Sequence, residues 1–112
     1  MARASTTSDV FNAIAEPARR DLLVALAPGE AAVGELVDAL HLSQPQVSKH
    51  LGVLRAVDLV RCRTSGRRRL YRVNPHALRP VHDWASMFEA LWNDRLDRLD
   101  DVLHEIREET AP

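Results

Sequence analysis

The chain has 112 residues, 46% hydrophobic and 28% charged, with a formal net charge of −1: one small domain with a core and a wet surface. Its single cysteine, Cys62, excludes an intramolecular disulfide framework. No apolar run approaches the ~20 residues that span a bilayer, and the opening residues lack the apolar middle of a secretion signal, so the chain is expected in the cytoplasm, with no membrane partner.

Residues 1–8 read as a disordered terminus. Asp9, or Ser8, opens a first short helix through Val10, Phe11, Ile14 and Ala15. Pro17 fits the first position of a second helix, striped with Leu22, Leu23 and Leu26 and stopped by Pro28-Gly29. A third helix is predicted over Val33 to Leu40. Ser43 caps a fourth, which runs to Arg55 or Ala56, and Pro45 is tolerated in its first turn.

The third and fourth helices carry the most information. Val47, Leu51 and Leu54 fall at i, i+4 and i+7 and give the fourth helix a dry back. Its front carries Ser43, Gln44, Gln46, Ser48 and Lys49, hydrogen-bonding side chains rather than a solubilising mixture of Glu and Lys. Such a face suits the DNA major groove, where Gln bonds adenine edges and Lys bonds guanine or phosphate. Arg55 extends the basic side, and His50 either supports the helix or touches phosphate.

Two runs that alternate apolar and basic residues follow, Leu59 to Arg63 and Arg67 to Val73, around a Ser-Gly turn. Helix, turn, helix and basic hairpin make a winged helix-turn-helix, assigned to residues 9–79, within a mainly α fold. Arg67, Arg68 and Arg69 would lie along phosphates or reach into the minor groove. Between Ser43 and Arg72 eight bases face one acid, Asp58, whereas from Asp83 to Glu109 nine acids face three arginines. A duplex would feel the basic middle, because charges beyond a Debye length of ~8 Å are largely screened.

Asn74 and Pro75 open a short helical turn, and Pro80 interrupts or restarts a helix that continues to Glu108, about 43 Å at ~1.5 Å per residue. Trp92, Leu96, Leu99, Leu103 and Ile106 recur at heptad spacing, and Trp84 and Phe88 extend that face. Asp94 and Arg98 form an i, i+4 pair beside it. A body this small cannot cover such a seam, so residues 80–109 are expected to dimerise with a second copy, assisted by Phe11 and Ile14. A homodimer would present two recognition helices to a palindromic site.

At these residues the chain resembles the ArsR (arsenical-resistance repressor) family of bacterial winged-helix regulators, from about Val10 to Ile106. The matching stretches are Phe11 to Leu23, Leu42 to Leu51, and Gly66 to Tyr71. The resemblance implies a homodimeric repressor that binds an operator near its own promoter and is often released by an effector. Metal sensors of the family carry Cys-x-Cys at the start of the third helix. Here Ala32 and Gly34 stand where the thiolates would be, and neither can ligate a metal. The family's other common site uses histidines and carboxylates on the last helix. His82, His104, Asp101 and Glu108 are present, but His104-Glu105-Ile106-Arg107 ends in Arg where that site has Glu. No metal or cofactor is therefore expected, and a small-molecule effector is left unspecified. A metal-sensing repressor using those last-helix ligands stays as an alternative, as does a winged-helix module that meets a protein or scaffolds a complex.

Cys62 beside arginines could act as a redox switch, but strand alternation turns it toward the core with Val60, as a small hydrophobe. No catalytic constellation is visible. Ser48, Lys49 and His50 point about 100° apart on a helix and cannot converge on one atom, and the four glycines are scattered singly. The chain reads as a binder, not an enzyme.

Overall fold

A computed structural model describes residues 6–110, apart from the side chains of 6–9, 96, 109 and 110. Its elements run α1 (Thr6–Ala13), α2 (Pro17–Leu26), β1 (Ala31–Ala32), α3 (Val33–Leu40), α4 (Gln44–Ala56), β2 (Val60–Ser65), β3 (Arg68–Val73), a 3-10 turn (Pro75–Leu78), α5 (Arg79–Ser86) and α6 (Glu89–Thr110). The chain divides after Val81 into two compact units.

In the first unit, three helices are bounded where local chemistry bounds them. Pro17 sits in the first turn of α2 with Glu16 extended before it. The α1 C-terminus is closed by α2: Arg20 Nη1 donates to the carbonyls of Ile14 (2.8 Å) and Ala15 (3.1 Å), and Arg19 Nη1 to that of Ala13 (3.3 Å). The tight turn between α3 and α4 is made by His41, left-handed at φ 56°, whose N–H reaches Val37 O. Leu22, Leu26, Leu36, Val47, Leu51, Leu54, Leu59 and Val60 are each at most 1% exposed and form the centre of one core. Burial on this scale outweighs the indifferent helix propensity of residues such as Val47.

Several expectations need correction. The disordered terminus does not extend to Ser8: Thr6 to Ser8 form the first turn of α1, carried by the buried anchors Val10 and Ala13, while residues 1–5 lie outside those described. That helix also ends at Ala13 rather than Ala15. The sheet has three strands, in the order β1-β3-β2, because Ala31 and Ala32 pair with Tyr71 and Leu70 along the free edge of β3. The hairpin loop is Gly66-Arg67, one residue later than a Ser-Gly turn. Ser65 pairs with Arg68, and Gly66 takes the φ of 63° that a two-residue loop favours.

The terminal helix is not continuous. Met87 N and Phe88 N bond three residues back, to Trp84 O and Ala85 O, and a new helix starts at Glu89. The Ser86 hydroxyl donates to His82 O at 2.8 Å, competing for the i−4 carbonyl, and such back-bonding bends helices. The long uninterrupted piece is α6, 22 residues and about 33 Å.

Candidate nucleic-acid interface

The capping serine works as its position requires. Ser43 Oγ accepts from Gln46 N at 3.2 Å, and Gln46 Oε1 accepts from Ser43 N at 2.9 Å, a complete capping box. Behind this fixed end Val47, Leu51 and Leu54 are buried, so Gln44, Gln46, Ser48 and Lys49 are left on the exposed face. Arg55 is exposed in the last turn. The Gln46 side chain thus serves the cap with its oxygen and offers its amide N–H groups outward.

His50 is half-buried, and its Nδ1 accepts from Arg19 Nε at 3.3 Å. Since Arg19 also holds the end of α1, His50 ties α4 to α2 and α1. Of the two roles expected for it, support of the helix is the one its contact serves.

The three wing arginines do not form one cluster. Cys62 packs against the core opposite the buried Tyr71, so Tyr71 and Arg69 share the inner face of the hairpin. Arg69 Nη2 donates to Cys62 Sγ at 3.2 Å, and this bond, foremost, favours the charged guanidinium. Arg61, Arg63, Arg68 and Arg72 share the outer face. Arg67 sits at the loop. Lys49, Arg55 and Arg67 have no ion pair among the described residues, whereas Arg68 Nη2 lies 2.6 Å from Glu35 Oε1.

Two other outer arginines are also matched with carboxylates. Arg63 grips Glu30 with two bonds, Nε–Oε2 2.6 Å and Nη2–Oε1 2.8 Å. Arg61 grips Asp58 at 3.0 and 2.9 Å, and Asn74 Nδ2 donates to both the backbone and the side chain of Asp58. The Arg63 hydrogen bonds hold the Glu30 carboxyl below the usual range, and Arg61 does the same for Asp58. Sequence reasoning missed Glu30 and Glu35, which stand 33 residues from their partners and outside the basic stretch. No local pattern signals a contact at that separation.

In the second unit, Trp84, Phe88, Trp92, Leu99 and Leu103 are exposed, Trp92 and Leu99 by 53% each, and the Leu96 side chain lies outside those described. Trp84 and Phe88 meet edge to face at 5.5 Å. The Asp94–Arg98 pair forms at 2.9 Å. In the first unit, Phe11 and Ile14 are half-buried, and Ile14 packs on the core. His104 Nε2 lies 3.0 Å from Glu108 and His82 Nδ1 3.4 Å from Asp83. Among the described residues no three His, Cys, Asp or Glu side chains gather as a metal group, and no helix is long and apolar enough to cross a membrane.

The comparisons with known proteins fall on this same stretch. Residues 16–61, from the start of α2 into the wing, match the family described as "Bacterial regulatory protein, arsR family". The HTH-type transcriptional repressor SmtB of Mycobacterium tuberculosis is 43% identical over 70 residues, 62% of this chain and 52% of that protein, so the chain spans about half the length of that relative. The arsenic resistance transcriptional regulator ArsR2 of Pseudomonas putida is 38% identical over 79 residues, 70% of this chain and 69% of that protein. Among solved structures, the ArsR-like transcriptional regulator from Rhodococcus sp. RHA1 matches with a TM-score of 0.66 at 26% identity, covering 87% of this chain and 92% of that one. Carried on a winged helix-turn-helix, these matches lead to one assignment: the chain belongs to the ArsR family of bacterial regulatory proteins.

Proposed function

We propose that the protein is a sequence-specific DNA-binding transcriptional regulator, a homodimeric repressor of a palindromic operator. It acts in the cytoplasm and lacks the family's thiolate metal site. The observation that carries the reading is α4, with its apolar back buried, its start fixed by a capping box and an amide- and lysine-bearing front left open. Names of relatives such as the repressor SmtB add support.

In this reading Ser43, Gln44, Gln46, Ser48 and Lys49 face the major groove. Arg55 reaches backbone phosphate, and His50 holds the helix from behind. The wing brings its arginines to the flanking backbone or minor groove. The heptad seam of Trp92, Leu96, Leu99 and Leu103, with Trp84 and Phe88, pairs with its copy, and Phe11 and Ile14 add the first unit's share. Two α4 helices would then meet successive major grooves about 34 Å apart.

Anisotropy titrations of a labelled operator duplex and a random duplex, repeated at rising salt, test this. The logarithm of affinity should fall linearly with that of salt concentration, with the operator held more tightly throughout. A flat salt response would favour a protein partner for the basic face. Equal affinity for both duplexes would remove the sequence-specific reading.

A further inference from the structure

Among the described residues, the outer face of the wing is charge-matched at Arg61, Arg63 and Arg68 but not at Arg72, while Arg67 at the loop and Arg69 on the inner face hold no carboxylate. Matched and unmatched arginines cannot serve a duplex equally. On the outer face Arg61, Arg63 and Arg68 each hold a carboxylate. Asp58 belongs to the foot of the hairpin itself. Glu30 and Glu35 come from the segment around β1 and the first turn of α3, the helix that precedes α4. The Arg63–Glu30 and Arg68–Glu35 pairs therefore bind the hairpin to the helix-turn-helix body at two successive points, near the middle of β2 and at the loop end of β3.

A guanidinium that leaves a carboxylate for a phosphate exchanges one anion for another, and it leaves the bare carboxylate facing the DNA. A cation with no partner gains the full release of counterions from the duplex. Arg67 is such a cation, and Arg69 spends only one N–H, on a weakly accepting sulfur.

We infer that Glu30 and Glu35, with Arg63 and Arg68, are positioning residues that set the wing against α4, and that Arg67 and Arg69, not Arg68, are its contacts with the duplex. The second half rests on the function proposed above; the first concerns the wing alone.

The test compares Arg67→Ala, Arg68→Ala and Glu35→Gln, together with the exchange of Arg68→Glu and Glu35→Arg in one chain. Amide hydrogen exchange without DNA should quicken across β2 and β3 in Arg68→Ala and Glu35→Gln, stay at the parent rate in Arg67→Ala, and recover in the exchanged pair. With a duplex bound, Arg67→Ala should lower the salt slope by about one. Arg68→Ala and Glu35→Gln should keep the parent slope and lose affinity by the same few-fold factor, and the exchanged pair should regain it.

Unchanged hydrogen exchange in Arg68→Ala and Glu35→Gln would overturn the positioning role by itself. A slope lowered by Arg68→Ala as much as by Arg67→Ala, or tighter binding by Glu35→Gln, would show Arg68 competing for phosphate and overturn the division of labour. If the parent holds no duplex, the proposed function fails and takes that division with it, while the exchange result still decides the positioning role.

Discussion

Gln46 is asked to do two things with one amide. Its oxygen closes the capping box while its nitrogen is the group available to an adenine N7 or another base acceptor. The two duties separate by substitution. Gln46→Glu keeps an acceptor for Ser43 N, so the urea midpoint should stay close to the parent's, yet it removes the amide donor and places a negative charge toward the groove. Gln46→Ala loses both. Either change should reduce the preference for operator over random duplex by about 1–3 kcal/mol if Gln46 reads a base. Ser43→Ala, which removes the hydroxyl of the cap, should cost about 1 kcal/mol of stability in the same urea titration. If Gln46→Glu left operator preference intact, the base-reading role would belong to Gln44 or Ser48. The capping serine was legible in the sequence, and so was Gln46 as a candidate base reader. That Gln46 also closes the cap became visible only in the hydrogen bonds.

At the scale of elements, α2, α3 and α4 were legible because their ends are set by neighbours in sequence: Pro17, Pro28-Gly29, Ser43 and the apolar stripes. Strand β1 was not, because Ala31-Ala32 has no strand character and exists by pairing with the edge of β3. The break between α5 and α6 falls where Ser86 bonds back to His82 O and Met87 and Phe88 bond three residues back, local features that a heptad count passes over. The carboxylates on the wing's outer face lead to a pH dependence. A carboxyl more acidic folded than unfolded leaves the unfolded chain binding more protons between its two pKa values, so its stabilisation is complete above the ordinary carboxylate range. It is lost as the pH falls through the lower folded value. Glu30 and Asp58 are both shifted in that direction. Hydrogen-exchange protection of β2 and β3 relative to a Glu30→Gln variant should therefore be constant near neutrality and vanish on acidification below the carboxylate range. An advantage that persisted unchanged at acid pH would mean the Arg63–Glu30 pair contributes nothing to holding the wing.

The whole molecule carries its charge in two blocks, a basic middle and an acidic end, so a net charge of −1 conceals a surface fit for DNA. The fold tempers that contrast by bringing Glu30 and Glu35 to the wing, which leaves Lys49, Arg55, Arg67, Arg69 and Arg72 as the bases of that middle without ion pairs among the described residues. The acidic end also carries the apolar seam, where Trp92, Leu99, Leu103 and Ile106 are about half exposed, and a seam of this length is a liability unless covered. Leu99→Asp with Leu103→Asp should leave the first unit's thermal unfolding unchanged, convert the sedimenting species to a single subunit and weaken operator binding far more than binding to a half-site. Persistence of a dimer in that variant would move the interface elsewhere. The central claim, that paired α4 helices read a symmetric sequence, is tested most directly by selecting bound duplexes from a randomised pool and sequencing them. The account predicts an enriched inverted repeat whose halves are centred about one helical turn, ~10 base pairs, apart or a multiple of it. A bound pool with no enriched sequence, or with an isolated half-site, would contradict it.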